Sequence, residues 1–377
     1  MKKEVAQKTQ KRFKRKHLYF VIISVLLLVV IFFVGMGFLN VKTISYDREN
    51  WLKISDKIPP IPPLDTVTYD KKLEELANNP PLKVVAPKFD PKTGEEILPL
   101  PTEPNLWPVK TVYPNAGAIL PFNRIVAYYG NFYSTKMGAL GQYKEEEMLN
   151  RLSAEVKKWT DADSTTPAIP ALHYIAVVAQ AGAGDDGQHR ARMPEEEIKK
   201  ALKMAEKINA IVFLDIQVGF SNLQTELPLL EKYFKMPNVH LGIDPEFSMK
   251  TGIRPGKVVG NYDATDINYA AEFLAKIVKE NNLIPKIFII HRYTKKMVTN
   301  YKEIKPLPEV QIVMDMDGWG GSAKKKNTYQ YFIYKEPVQF TGFKLFYKND
   351  TLEEGTVLMT PEEILKLQPK PIYIQYQ

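Results

Sequence analysis

The 377-residue chain contains no cysteine. That excludes a cysteine nucleophile, lipid attachment through a cysteine, and any stability from disulfides, an absence that suits an exported protein of a Gram-positive-type bacterium. Histidine is scarce: there are five, scattered, and no His-x-His begins the run of strands. A metal-dependent hydrolase would draw on His291, His189, Asp215 and Glu246, but the spacing assigns no metal and no cofactor. No glycine fingerprint follows the first strand, which argues against an open doubly wound dinucleotide fold. Neither a serine elbow nor a phosphate cradle at the last two strands is present.

Positive charge is abundant in one place. The formal net charge is +8, yet residues 1–16, "MKKEVAQKTQKRFKRK", carry +7 of it. The remainder is nearly neutral, so no basic stripe exists for nucleic acid. Directly afterwards "LYFVIISVLLLVVIFFVGMGFL" (18–39) runs without charge or proline. A helix of that length spans a bilayer core of about 30 Å. The basic flank predicts a cytoplasmic tail at 1–17, a signal anchor at 18–39, and everything else outside the cell. A cleaved secretory signal is the alternative.

Residues 59–121 then hold 14 of the chain's 28 prolines. Such density prevents continuous helix or central strand and favours an extended spacer. The stretch 40–120 is therefore read as a neck, stalk over 40–90 and wrap against the following domain over 91–120. One amphipathic segment interrupts it at 68–79.

From residue 121 the character changes. Eight short apolar runs, at 124–130, 172–180, 210–219, 239–247, 286–294, 310–318, 342–348 and 371–377, alternate with amphipathic stretches. Helical patterns occupy 144–159, 194–209, 223–234, 266–282 and 360–367, with Pro194 in a first turn, Pro228 a source of a kink, and Asp266 a natural N-cap. The connection 319–341 shows no obvious helix. Eight strands in βα order over 121–377 predict a closed (β/α)8 TIM barrel.

Three strand ends share a signature. "LDIQ" places Asp215 and Gln217 on one face, opposite an apolar one; "GIDPEF" does so with Asp244 and Glu246, and "VMDMDG" with Asp315 and Asp317. Strand alternation turns the apolar face to the helices and these pairs into the barrel, towards its C-terminal mouth. His291 and Tyr293 end the fifth strand in the same phase, Tyr129 the first, and Gln375 the eighth. Isolated acids at strand ends often cap helices; three pairs in phase predict a cleft.

Several carboxylates in one cleft repel, and a shared proton relieves them by making one a general acid. Glu246 is expected as proton donor, with Asp244 orienting it and Asp215 assisting. Gln217, Asp315, Asp317, His291, Tyr293, Tyr129, Trp319 and Gln375 are expected to bind substrate. Aromatic residues at the same rim, among them Phe132, Tyr133 and Phe247, offer flat apolar platforms for sugar rings.

"GIDPEF" resembles the fourth-strand motif of family 18 glycoside hydrolases, the chitinase-like barrels, and "VMDMDGWG" echoes their sixth strand. The resemblance implies Glu246 as acid and Asp244 as its helper. The motif's further upstream acid is Leu241 or Gly242 here, and the sixth-strand tyrosine is Met316. The segments "YYG" (128–130), "MGALG" (137–141), "LDIQ" and "IDPE" are similar to those of secreted or membrane-anchored bacterial proteins with a glycosidase-like barrel. Together these readings predict an extracellular, membrane-anchored barrel whose partner is a cell-surface or environmental glycan. Because the seventh strand offers Lys344 and no carboxylate, a non-catalytic wall- or glycan-binding barrel stays open beside catalysis. The connection 248–266, with Gly252, Gly256 and Gly260, is read as a lid or as an ordered loop over the mouth.

Overall fold

The structure, a computed structural model, describes residues 61–81, 88–89, 96–97 and 105–377. The tail and the apolar run at 18–39 lie outside the described residues. Among those described, no helix is long and apolar enough to cross a membrane.

Eight parallel strands form the centre: β1 Arg124–Gly130, β2 Ala168–Ala179, β3 Ile211–Ile216, β4 Val239–Ile243, β5 Lys286–Arg292, β6 Val310–Met316, β7 Phe340–Leu345 and β8 Tyr373–Tyr376. Each pairs with its sequence neighbours, and β8 pairs back onto β1 through Tyr373 opposite Ile125. The sheet is therefore closed, a (β/α)8 barrel. Closure makes both faces of every strand buried, which is why the strands read as near-continuous apolar runs.

The outward face (Val212, Leu214, Leu241, Ile243, Ile312, Met314 and their equivalents) packs against the helices in one large core. Those helices are α2 Glu145–Ala162, α3 Glu195–Glu206, α4 Leu223–Phe234, α5 Ala264–Asn281, α6 Ser322–Tyr329 and the short α7 Pro361–Ile364, preceded in the chain by α1 Thr66–Ala77. Pro228 sits inside α4, whose N-terminus is capped by the Asn222 side chain accepting from Thr225 N–H. The cap of α5 is Asp263 rather than Asp266; Asp266 stands at the third helical position and accepts the Asp263 N–H, completing a capping box.

The connection expected to lack a helix contains α6 and a π-turn, Gln330–Tyr334. Its first turns are lysine-rich and its buried core residues, Tyr329 and Ile333, come only towards its end, so periodicity does not betray it. What holds it is Lys325, buried, bonded to the Gly318 carbonyl at 2.7 Å and paired with Asp350 at 2.9 Å.

The stretch read as stalk differs from that expectation over 61–81. Here α1 packs Tyr69 and Leu76 into a cluster with Ile125, Phe213, Ile287, Ile289 and Phe340, sealing the N-terminal mouth of the barrel. Burying one such side chain contributes roughly 1.5–3 kcal/mol. Further on, Trp107 is buried and donates its indole N–H to the Tyr334 carbonyl at 2.9 Å, while Val112 and Tyr113 stay exposed.

Candidate active site

Looking down the barrel from its C-terminal mouth, the first two rings of inward side chains hold one residue per strand each, above the apolar layer that contains Ile125, Phe213, Ile289 and Phe340. The upper ring is Tyr129, Ile175, Gln217, Asp244, Tyr293, Asp317, Lys344 and Gln377, and all eight line an open cleft of about 550 Å³. The lower ring, two residues earlier on each strand, is Ala127, His173, Asp215, Gly242, His291, Asp315, Gly342 and Gln375. Its side chains are fully buried and none lines the cleft.

Five upper-ring residues, Gln217, Asp244, Tyr293, Asp317 and Gln377, stand one position past the end of their strand, and Tyr129, Ile175 and Lys344 lie within theirs. β4 stops at Ile243, and Pro245–Phe247 turn as a 3-10 segment capped by Asp244, whose Oδ1 accepts the Glu246 N–H at 3.0 Å. Strand alternation therefore holds only as far as Asp244, and it is the turn that carries Glu246 and Phe247 up into the cleft wall. Gly260 N–H donates to the Glu246 carbonyl at 2.7 Å, which ties the 248–266 connection down beside the site. Gln217 bridges: it accepts from Ala179 N–H at 3.0 Å and donates to the Tyr129 hydroxyl at 3.2 Å and to Asp244 Oδ2 at 3.5 Å. Lys344 Nζ pairs with Asp317 Oδ1 at 2.9 Å and lies 4.0 Å from the Tyr129 ring centroid. Trp319, 48% exposed, and Phe346 complete the wall.

The electrostatics differ from residue to residue. Burial, reinforced by the charge of Asp317, raises the Glu246 carboxyl above its ordinary range. Burial likewise raises Asp244 well above it, only partly offset by His291. A raised carboxyl facing an opening is a proton donor in waiting.

In the lower ring, His173 Nε2 lies 3.3 Å and His291 Nε2 3.6 Å from Asp215 Oδ1. On its other side His291 Nδ1 lies 3.2 Å from Asp315 Oδ2 and 3.4 Å from Asp317 Oδ2. Asp215 Oδ2 accepts the Tyr129 hydroxyl at 3.0 Å. His173 Nδ1 is hydrogen-bonded to the Tyr373 hydroxyl at 2.6 Å, which also accepts from Gln375 at 2.7 Å. Burial depresses His173 to about 4. Burial opposes a charge on His291 too, but Asp215, Asp315 and Asp317 together raise it well above the ordinary histidine value. Asp215 is held well below the usual carboxylate range because the two histidines outweigh its burial.

Small residues make this ring possible. A Cβ at Gly242 would come within 2.4 Å of His173 Nε2 and 2.5 Å of Asp215 Oδ1, and one at Gly342 within 2.5 Å of Asp315 Oδ1.

Of the residues singled out in the sequence, Glu246, Asp244, Gln217, Asp317, Tyr293, Tyr129 and Trp319 share the cleft. Asp215, Asp315, His291 and Gln375 do not: they are fully buried beneath the ring above and none of them lines the cleft. Among the aromatic candidates, Phe247 lines the cleft, whereas Phe132 stacks on Tyr174 in the outer shell and Tyr133 is exposed elsewhere. His189 is on an exposed loop against Phe220, away from both rings. Sequence reasoning passed over His173, although it stands on the inward face of β2 in phase with Ala171 and Ile175, and over Lys344 as a cleft residue.

Fold and site together define a (β/α)8 barrel with a carboxylate-bearing cleft at its C-terminal mouth. No family model and no curated protein matches the chain, so the likeness to family 18 glycoside hydrolases rests on the two segments quoted for it. Solved structures to which it is similar include the N-acetylneuraminate lyase (sialic acid aldolase) of Aliivibrio salmonicida, at 11% identity, TM-score 0.29, over 59% of this chain and 62% of that one. Another is a sugar phosphate isomerase/epimerase of Parabacteroides distasonis, at 11%, TM-score 0.30, over 70% and 89%. A third is a ruminal GH26 endo-beta-1,4-mannanase, at 11%, TM-score 0.31, over 68% and 58%. The chain thus spans less than two thirds of the aldolase and of the mannanase, and at these scores the matches decide nothing about its chemistry.

Proposed function

We propose that this chain is a membrane-anchored, outward-facing hydrolase of glycans, working by carboxylate acid/base catalysis. The observation that carries the reading is Glu246: a partly exposed carboxyl in an open cleft, raised by burial and by Asp317. In this mechanism Glu246 donates its proton to the glycosidic oxygen as the bond to the anomeric carbon breaks. Water adds to that carbon and gives up a proton to a cleft carboxylate. Asp317 faces the developing positive charge of the sugar, and Asp244 fixes the turn that aims Glu246. Trp319, Phe247 and Tyr293 supply stacking faces for the ring. The apolar run at 18–39 is the anchor, and the substrate is a cell-surface or environmental polysaccharide.

A second reading is favoured by Lys344, which stands in the cleft paired with Asp317. It makes the barrel a glycan-binding module without turnover. Incubating the purified protein with bacterial wall and environmental polysaccharides separates the two. Release of reducing ends by the native chain, lost in Glu246→Gln with folding intact, supports hydrolysis. Glycan retention with no product, unchanged by Glu246→Gln, supports binding alone and refutes the catalytic assignment.

A further inference from the structure

The lower ring carries an arrangement that the glycan reading does not use. His173, Asp215 and His291, each from a different strand, each bring one ligand atom to a group whose members lie within 4.8 Å of one another, and His173 Nε2 and His291 Nε2 both face Asp215 Oδ1, at 3.3 and 3.6 Å. All three side chains are fully buried, and none of these three atoms has a hydrogen-bond partner among the described residues. Unpartnered buried nitrogens and oxygens are costly, and three converging on one point ask for something between them.

We propose that His173, Asp215 and His291 form a binding site for a divalent first-row transition-metal ion of the zinc class. A tetrahedral ion bound at about 2.0–2.1 Å sets its ligand atoms roughly 3.3–3.4 Å apart; the two contacts to Asp215 measure 3.3 and 3.6 Å. Two imidazoles with one carboxylate suit zinc, cobalt or iron rather than calcium or magnesium, which take oxygen ligands.

The surrounding contacts are those a metal site needs. Metal-bound histidines have the remote ring nitrogen held by a carboxylate or another polar group, which fixes the tautomer. Here His173 Nδ1 is hydrogen-bonded to the Tyr373 hydroxyl and the second oxygen of Asp215 takes the Tyr129 hydroxyl, while His291 Nδ1 has the carboxylates of Asp315 and Asp317 beside it, at 3.2 and 3.4 Å, with no hydrogen bond formed to either. Gly242 leaves the space at the ligand atoms that any side chain would fill. The site lies beneath the cleft floor, and its existence does not depend on the glycan reading, because its readout is the metal.

The test uses the full-length chain purified in detergent, stripped with chelator and equilibrated separately with Zn(II) and with Co(II). After gel filtration the proposal expects about one equivalent of zinc per chain, falling below about a tenth in His173→Gln and unchanged in His189→Ala. The cobalt form is expected to show visible d–d absorption and two paramagnetically shifted, slowly exchanging imidazole N–H signals, from His173 and His291. The native protein alone answers the question should His173→Gln fail to fold. Folded native protein that retains no zinc and shows no cobalt spectrum overturns the proposal, as does full zinc retention by folded His173→Gln.

Discussion

Asp215 and Gln217, His291 and Tyr293, and Asp315 and Asp317 are pairs two residues apart on one strand face, yet their surroundings are opposite. The later member of each pair lines the open cleft, and the earlier member is sealed beneath it. Two residues advance a strand by about 6–7 Å, enough for one ring of side chains to roof another. The upper ring meets water and has acids that a substrate reaches. The lower ring, closed to water, gathers its acids around two histidines and a tyrosine hydroxyl, with glycines that make room, and leaves the converging atoms of His173, Asp215 and His291 without hydrogen-bond partners among the described residues. Facing inward is therefore not the same as facing the substrate.

The largest effect that sharpens this contrast is at the open ring. Glu246→Gln is expected to lower kcat by about 10²- to 10⁴-fold, the usual worth of general acid catalysis, without a change in melting temperature. Reducing-end release and thermal denaturation read the two quantities, and undiminished turnover would break the contrast at its functional end.

Next comes the closed ring. Gly242→Ala drives a methyl group onto His173 and Asp215 and is expected to cost about 1–3 kcal/mol of stability. Gly182→Ala, in open space, is expected to cost far less. Equal melting temperatures for the two variants would mean that the lower ring is not tightly filled.

A smaller effect concerns pH. The charge of Asp317 raises Glu246, and a general acid works while protonated, so activity falls as pH rises through the Glu246 value. Asp317→Asn removes that charge, lowers the Glu246 value, and is expected to move the alkaline limb of the kcat/KM profile to lower pH. A limb that moves up, or stays, contradicts the assignment. The smallest effect is at the rim: Trp319→Ala is expected to raise KM by the worth of one stacking contact, about 0.5–1.5 kcal/mol, with kcat little changed. Initial-rate kinetics give the split, and a loss confined to kcat counts against stacking.

The barrel is legible in the sequence because closure buries both faces of every strand, which leaves eight short, largely apolar runs in βα order. Phase was legible too: Asp215, Asp244, Asp315 and Asp317 do point inward. Depth was not. Alternation tells which face a residue is on, but not whether the next inward residue along the strand covers it, and so Asp215, His291, Asp315 and Gln375 were placed with the substrate. His173 was hidden for a related reason: among apolar neighbours in "LHYIAVV" it reads as a core histidine, and its partners lie 42 and 118 positions further along the chain. The segment at 68–79 is legible as an amphipathic interruption of the neck, but prolines on both sides make its surroundings read as stalk, although its own Tyr69 and Leu76 fit the barrel end.

Carbodiimide labelling of carboxyl groups in the native protein, mapped by mass spectrometry, tests the two-ring account most directly. Glu246, facing the cleft, is expected to be modified, while Asp215 and Asp315 stay unmodified until the protein is denatured. Modification of Asp215 or Asp315 in the folded protein at the rate of Glu246 would contradict it.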